Sequence, residues 1–220
     1  MKAGDVTKLK RKFIEDALLP QALSDSLSQS RWESVRPVFN RAPTEEGAKT
    51  DHVEERRAFR DALTAELRSL ATNYEGHDVD GELHIRTIRD MADRLERDHG
   101  DILNGGKLFF GVAQKALNVY LKYLRCANLD IHPPHCPFDY DIISKLNPRD
   151  GIGRKWTHSN SEDDYREWVR LAEAAAQKGG YQSASDWEIV TWDEIQTKER
   201  EREARAKAKK KANVNQEIGT

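Results

Sequence analysis

The 220-residue chain is poor in cysteine, methionine and proline, with 2, 2 and 7 copies respectively. Its first residues lack the apolar stretch of a secretory signal peptide, and no apolar run is long enough to cross a membrane. These absences argue against a disulfide-stabilised secreted protein and against an integral membrane protein. We therefore expect a cytoplasmic protein in which Cys126 and Cys136 are free thiols, although the two could pair in principle.

The chain also has almost no net charge, because its 36 basic residues and 38 acidic residues give a formal charge of −2. The balance hides two basic clusters, one at Lys8–Lys12 and one at the end of the run Lys198–Ala212. Either cluster could contact phosphate groups, or it could simply be a solvated helix or terminus. Charge therefore permits a nucleic-acid partner without requiring one.

Almost every periodic segment has the spacing of an α-helix, so the sequence predicts an all-α fold. We expect one helical domain over residues 1–196, in which 1–76 could form an N-terminal subregion, followed by a charged, partly disordered tail over 197–220. The stretch Trp187–Trp192 is ambiguous between a short strand and the start of a helix. The predicted helices cover residues 5–30, 51–73, 83–99, 111–127, 139–147, 161–179 and a charged helix that fades near Asn213.

The helix predicted over 111–127 is apolar around most of its circumference, as expected of a buried helix. It carries one narrow polar stripe, whose members recur at steps of three or four residues and therefore lie along one line. A buried lysine is costly unless it is paired or reached by water, so this stripe is expected to line a cleft. The stripe consists of Lys115, Asn118, Lys122 and Arg125.

Lys115 and Asp139 are the strongest candidates for chemistry. A lysine on this stripe could act as a nucleophile or an electrostatic anchor, and an aspartate fixed by Pro137 could stabilise a developing cation. Cleavage of an N-glycosidic bond needs these two groups, because the sugar gains oxocarbenium character as the base leaves. The structural alternatives are that Asp139 caps a helix and that Lys115 extends to the surface.

The residues Gly111-Val112-x-x-Lys115-x-x-Asn118, followed by Pro137-Phe138-Asp139, resemble the helix-hairpin-helix DNA glycosylase superfamily. The match covers roughly 35 residues. The resemblance implies that Lys115 and Asp139 match the catalytic lysine and aspartate of that family. It also implies an all-α fold and a DNA substrate whose target base is flipped out of the duplex. The chain departs from the family pattern at Phe109-Phe110, at Ala113 and in the longer spacing between lysine and aspartate.

Further residues could complete a site that binds DNA around a flipped base. Aromatic rings are candidates for stacking on the base, while polar and basic side chains on the stripe and in the loop before Trp156 could contact base edges or phosphates. The same residues could equally be ordinary core and solvated loop. The candidates are Phe110, Tyr120 and Trp156 for stacking, and Asn118, Lys122, Arg125, Arg154 and Lys155 for polar contacts.

We therefore predict a monomeric DNA glycosylase that needs no cofactor and no metal and leaves an abasic site. Its target would be a damaged base or a modified base of foreign DNA, such as hypermodified cytosine in phage DNA, which would imply a role in antiviral defence. A non-catalytic helical module that binds nucleic acid or protein is the main alternative. A HEPN-type ribonuclease is another, because Arg94 and His99 have its spacing, as is a zinc site made from Cys126, His132, His135 and Cys136.

Overall fold

The computed structural model describes residues 53–127, 130–146 and 156–218. This part of the chain contains six α-helices and no strand, which confirms the all-α prediction. No helix in these ranges is both long enough and apolar enough to cross a membrane. The predicted helix over 5–30 and the basic cluster Lys8–Lys12 lie outside the described residues. The helices are α1 (Val53–Ala71), α2 (Gly81–His99), α3 (Phe110–Cys126), α4 (Tyr140–Leu146), α5 (Glu162–Gly179) and α6 (Ala184–Ile218).

Local capping signals set several helix boundaries. The Asp80 carboxylate accepts hydrogen bonds from the first free N–H groups of α2. The Ser161 hydroxyl accepts one from the Asp164 N–H at the start of α5, as the sequence predicts. Gly180 ends α5 in the left-handed conformation, with a φ of 72° that favours glycine. These boundaries follow from side chains close in sequence, which is why a sequence pattern can find them.

Helix α3 lies at the centre of the described fold, and its neighbours bury nearly all of it. Helices α1 and α2 pack against one side, and the segment 131–138 with α4, α5 and the start of α6 covers the other. The core combines aliphatic and aromatic side chains from all six helices, including Phe59, Met91, Leu117 and Trp168. A helix in this position can hold its few polar side chains only where other elements supply partners.

Helix α6 differs from both expectations for the C-terminal part of the chain. Residues 187–192 form a helix rather than a strand, and the helix continues to Ile218, beyond the expected end near Asn213. Its first turns are buried as far as Ile195, whereas side chains from Thr197 to Ala208 are exposed. The proposed boundary between domain and tail at residue 196 therefore falls where α6 leaves the core.

Candidate active site

Lys115 and Asp139 form a partly buried ion pair. The Lys115 ammonium donates a hydrogen bond of 2.8 Å to Asp139 Oδ2, across 24 positions of sequence. Their side chains are only 11% and 21% exposed. The sequence predicts that they face each other across a pocket, but in the structure they are in direct contact. A substrate would therefore meet the pair as one unit of charge.

Asp139 is also the N-cap of α4, because its Oδ1 accepts the Ile142 N–H at 3.0 Å. Burial raises the pKa of Asp139, but the Lys115 ammonium and the Ile142 N–H more than offset that effect, and the pKa lies below its ordinary value. The carboxylate is consequently an anion at neutral pH. The capping role and a role in chemistry are compatible, since each uses a different carboxylate oxygen.

Gln114 fixes the backbone immediately before Asp139. Its Nε2 donates to the Phe138 carbonyl and its Oε1 accepts the Phe138 N–H at 3.2 Å. The side chain is fully buried and lies one residue before Lys115 on α3. This double contact brings the loop against α3 at the position where Lys115 and Asp139 meet. Sequence reasoning missed Gln114, because a single glutamine on a buried helix has no distinctive spacing.

Trp156 lies on the other side of the lysine. The Lys115 ammonium is 4.9 Å from the centroid of the Trp156 ring, within the range of a cation–π contact. The ring is half-buried, so one surface remains near solvent. Lys115 is thus held between a carboxylate and an indole, and Trp156 is the one predicted stacking residue that lies at the pair.

The N-terminus of α3 is covered by the segment that follows Trp156. The Gly111 N–H donates to the Ser159 carbonyl at 2.9 Å, and the Phe110 N–H donates to Asn160 Oδ1 at 3.3 Å. These are amides that a helix terminus would otherwise offer to an anion. In the described structure they already have partners, so a phosphate would have to displace the segment in order to bind there.

The remaining basic members of the stripe form ion pairs with α6. Lys122 donates to Glu188 Oε1 and Arg125 donates to Asp186 Oδ1, each at 2.9 Å. Lys122 also lies 5.0 Å from the centroid of the Trp192 ring. All three cations of the stripe are therefore matched with carboxylates, which removes much of the cost of burying them.

A narrow cavity of about 10 Å³ runs beside the stripe, between α3, the proline-rich loop and the start of α6. The cleft expected from the sequence is therefore present but too small for a nucleobase as it stands. Its lining is mixed, with charged side chains and loop prolines, and includes Asn118, Lys122, Arg125, His135, Pro137 and Glu188.

Asn118 belongs to a buried hydrogen-bond network. Its Oδ1 accepts from His84 Nε2 at 2.9 Å, and its Nδ2 contacts the Tyr165 hydroxyl at 3.0 Å. The Tyr74 hydroxyl lies 2.6 Å from His84 Nδ1, and the Tyr165 hydroxyl lies 3.1 Å from His135 Nδ1. A consistent assignment has each tyrosine donating to a neutral imidazole. Asn118 therefore holds α2, α3 and α5 together, and base contact by its amide stays a prediction.

Burial keeps both histidines of this network neutral. Burial and the neighbouring His135 lower the pKa of His84 to about 3. Burial lowers the pKa of His135 to about 4, although Glu82 and Asp80 act in the opposite direction. A neutral imidazole can accept from a tyrosine at one nitrogen and donate at the other, which the network requires.

The other predicted site residues lie elsewhere. Phe110 is in the core, its ring centroid 5.2 Å from that of Tyr165, and Tyr120 is buried beside Arg68 of α1. Both rings already have neighbours within the fold, so stacking on a base stays a prediction for them. Arg154 and Lys155 lie outside the described residues, and their proposed phosphate contacts also stay predictions.

The residues of the ribonuclease alternative share a surface groove of about 310 Å³ between α1 and α2. The Arg94 guanidinium makes two hydrogen bonds to Glu66, and the His99 ring packs edge-on against Phe59. Both side chains are therefore engaged in contacts within one chain. For the zinc alternative, no cluster of three or more potential metal ligands occurs among the residues that the structure describes.

Comparisons with protein-family models, with curated proteins and with solved structures find no match to this chain. The candidate site consequently stands on its own geometry. Its centre is the ion pair of Lys115 and Asp139 with Trp156 beside it, and its inner wall is the charged lining contributed by α6.

Proposed function

We propose that the protein is a DNA glycosylase that hydrolyses the N-glycosidic bond of a damaged or modified base and leaves an abasic site. The observation that carries the proposal is the contact between the Lys115 ammonium and the Asp139 carboxylate, 2.8 Å long and partly buried. Two residues chosen from the sequence for this chemistry lie together, at a helix that the rest of the fold surrounds. A modified base of foreign DNA, such as hypermodified cytosine, is the substrate class that we propose to test alongside damaged bases.

Asp139 would stabilise the positive charge that develops on the sugar. An anion in a site of low dielectric acts on a developing oxocarbenium ion more strongly than an anion in water does. The lowered pKa of Asp139 supports this role, since the carboxyl group stays ionised at neutral pH. Its remaining exposure lies at the edge of the protein, where an extruded nucleotide could approach.

Lys115 would act as an electrostatic partner rather than as the nucleophile. An ammonium that donates to a carboxylate has no lone pair with which to attack the sugar. The ion pair therefore favours hydrolysis by water over formation of an imine with the enzyme. Trp156, half-buried beside the lysine, is a suitable surface for stacking on an extruded base.

The test is a substrate panel. The protein is incubated with plain duplex DNA, with duplexes containing damaged bases and with phage DNA containing modified cytosines, and abasic sites are detected with an aldehyde-reactive probe and by alkaline cleavage. We expect product from at least one modified substrate and none from Asp139→Asn. Borohydride should trap no covalent complex, because the proposed reaction forms no imine.

The panel also includes RNA and the variant His99→Ala. Cleavage of RNA that is abolished by His99→Ala would replace the glycosylase proposal with the ribonuclease alternative. DNA binding without abasic sites in any substrate would instead indicate a non-catalytic module. Asparagine is a good N-cap, so Asp139→Asn should keep the start of α4 and remain folded.

A further inference from the structure

Glu188 lies at the inner wall of the candidate site, although no sequence pattern points to it. It is on the first turns of α6, and its side chain is only 3% exposed. Its Oε1 accepts a hydrogen bond from Lys122, one of the cations of the α3 stripe. Other charged groups near it are Asp139 and Lys115, and the Cys136 thiol of the loop also lies within its electrostatic range. Glu188 therefore belongs to the same charged cluster as the Lys115–Asp139 pair.

The second oxygen of this carboxyl group has no partner. Glu188 Oε2 is one of two buried side-chain polar atoms without a hydrogen bond among the described residues. Leaving such an atom unsatisfied costs about 1–3 kcal/mol, so proteins usually supply a partner. Glu188 also lines the narrow cavity, whose volume of about 10 Å³ is close to the minimum for one water molecule.

The two carboxyl groups of the cluster differ in their environments. Asp139 is partly exposed and contacts both an ammonium and a backbone N–H, and its pKa is lowered. Burial raises the pKa of Glu188, and the opposing effect of Lys122 does not cancel it. Two carboxyl groups with pKa values moved in opposite directions are the arrangement that separates an anion from a proton donor.

We propose that Glu188 is the proton donor of the site and acts on the departing base through a water molecule held in the cavity. This inference rests on the proposed glycosylase function. The bond between the sugar carbon and the base nitrogen breaks, and its electron pair goes to the base, which receives the Glu188 proton by way of the cavity water. A second water then bonds to the sugar carbon and loses a proton, which restores Glu188.

The first test does not depend on activity. The protein is labelled with ¹³C at the glutamate carboxyl carbon, and its carboxyl signals are followed by NMR as a function of pH. Glu188→Gln identifies the signal of interest, and Glu194→Gln, an exposed position on the same helix, is the matched control. We expect the Glu188 signal to titrate above the ordinary glutamate value of 4.5. Titration at or below that value would overturn the proposal.

The second test uses the substrate on which the wild-type protein forms abasic sites. Single-turnover rates are measured on a series of ring-substituted bases that differ in how easily they leave as anions. A proton donor contributes about 100-fold or more to such a rate, so Glu188→Gln should be slower by about that factor on poor leaving groups. The loss should shrink on good leaving groups, which a merely structural defect would not produce. Glu194→Gln should retain the wild-type dependence.

Loss of one partner from a buried ion pair can prevent folding. If Glu188→Gln does not fold, the double variant Lys122→Met with Glu188→Gln removes both charges and is compared with Lys122→Met alone. A wild-type protein that makes no abasic sites overturns the proposed function. A wild-type protein that is active, with a Glu188→Gln variant of unchanged rate and unchanged leaving-group dependence, overturns the Glu188 inference alone.

Discussion

Gly111 and Trp156 are in backbone contact at the start of the central helix. A Cβ atom built on Gly111 would lie 1.8 Å from the Trp156 carbonyl oxygen. The adjacent Gly111 N–H donates to the Ser159 carbonyl, so the segment 156–159 lies directly on α3 at this point. Only glycine permits this approach, and the approach places the Trp156 ring over Lys115.

Gly111→Ala should therefore displace the segment that contains Trp156. We expect a loss of about 2–3 kcal/mol in the free energy of unfolding, typical of a side chain forced into a filled space. Chemical denaturation measures the loss, and tryptophan fluorescence reports the environment of the ring. Gly100→Ala is the matched control, because its Cβ would lie 3.3 Å from its nearest neighbour at a helical φ of −57°. Equal stability of the two variants would contradict the contact.

The hold of Gln114 on Phe138 gives a second prediction. Gln114→Ala leaves the buried N–H and carbonyl of Phe138 without these partners, each worth about 1–3 kcal/mol when unsatisfied. We expect denaturation to show a loss of at least ~2 kcal/mol, together with lower activity because Asp139 is no longer held beside Lys115. Gln177→Ala, at an exposed position of α5, should change neither. Unchanged activity in Gln114→Ala would show that Gln114 does not position the pair.

The buried histidines predict how stability depends on pH. In the unfolded chain a histidine takes up a proton below about 6.5, whereas in the folded protein His84 and His135 remain neutral to about 3 and about 4. The unfolded state thus binds more protons between these limits, and stability falls as the pH is lowered from 6.5 towards 4. Each histidine contributes a slope of up to ~1.4 kcal/mol per pH unit.

Denaturation midpoints measured between neutral pH and pH ~5, above the range where most carboxylates titrate, isolate this effect. In His135→Asn an amide oxygen can replace the accepting nitrogen, so about half of the slope should disappear. His77→Asn changes an exposed residue and should leave the slope unchanged. A flat profile in the wild-type protein would show that the histidines are protonated in the folded state.

The ion pair between Lys122 and Glu188 predicts non-additive mutations. Lys122→Met leaves a buried carboxylate unpaired, which costs about 3–5 kcal/mol, whereas replacing both partners is often close to neutral. We expect Lys122→Met with Glu188→Gln to be more stable than Lys122→Met alone by denaturation. A double variant whose loss equals the sum of the single losses would show that the two groups do not interact.

Features coded by neighbouring residues could be predicted from the sequence. The caps at Ser161 and Gly180, the buried nature of α3 and the polar stripe all follow from spacing. The meeting of Lys115 and Asp139 also follows, because a helix register and a proline-stiffened loop restrict where each can lie. The sequence did not predict that they touch, since the loop position depends on Gln114 and its two contacts with Phe138.

Partners distant in sequence could not be predicted. Glu188 and Asp186 pair with α3 residues 66 and 61 positions away, and the position of α6 depends on the packing of the whole core. The short apolar run 187–192 has no clear period, which left strand and helix open. Asn118 was assigned to substrate because a polar residue on a buried helix suggests a ligand. Its actual partners come from α2, α3, α5 and the proline-rich loop.

The most direct measurement is the rate of abasic-site formation by Asp139→Asn compared with Asp141→Asn. Both variants neutralise an aspartate at the start of α4, but only Asp139 contacts Lys115. On the substrate that the wild-type protein attacks, Asp139→Asn should lose at least ~100-fold in single-turnover rate, as expected when an electrostatic stabiliser is removed. Asp141→Asn should stay close to wild type. Equal rates for the two variants, both folded, would contradict the proposed role of the Lys115–Asp139 pair.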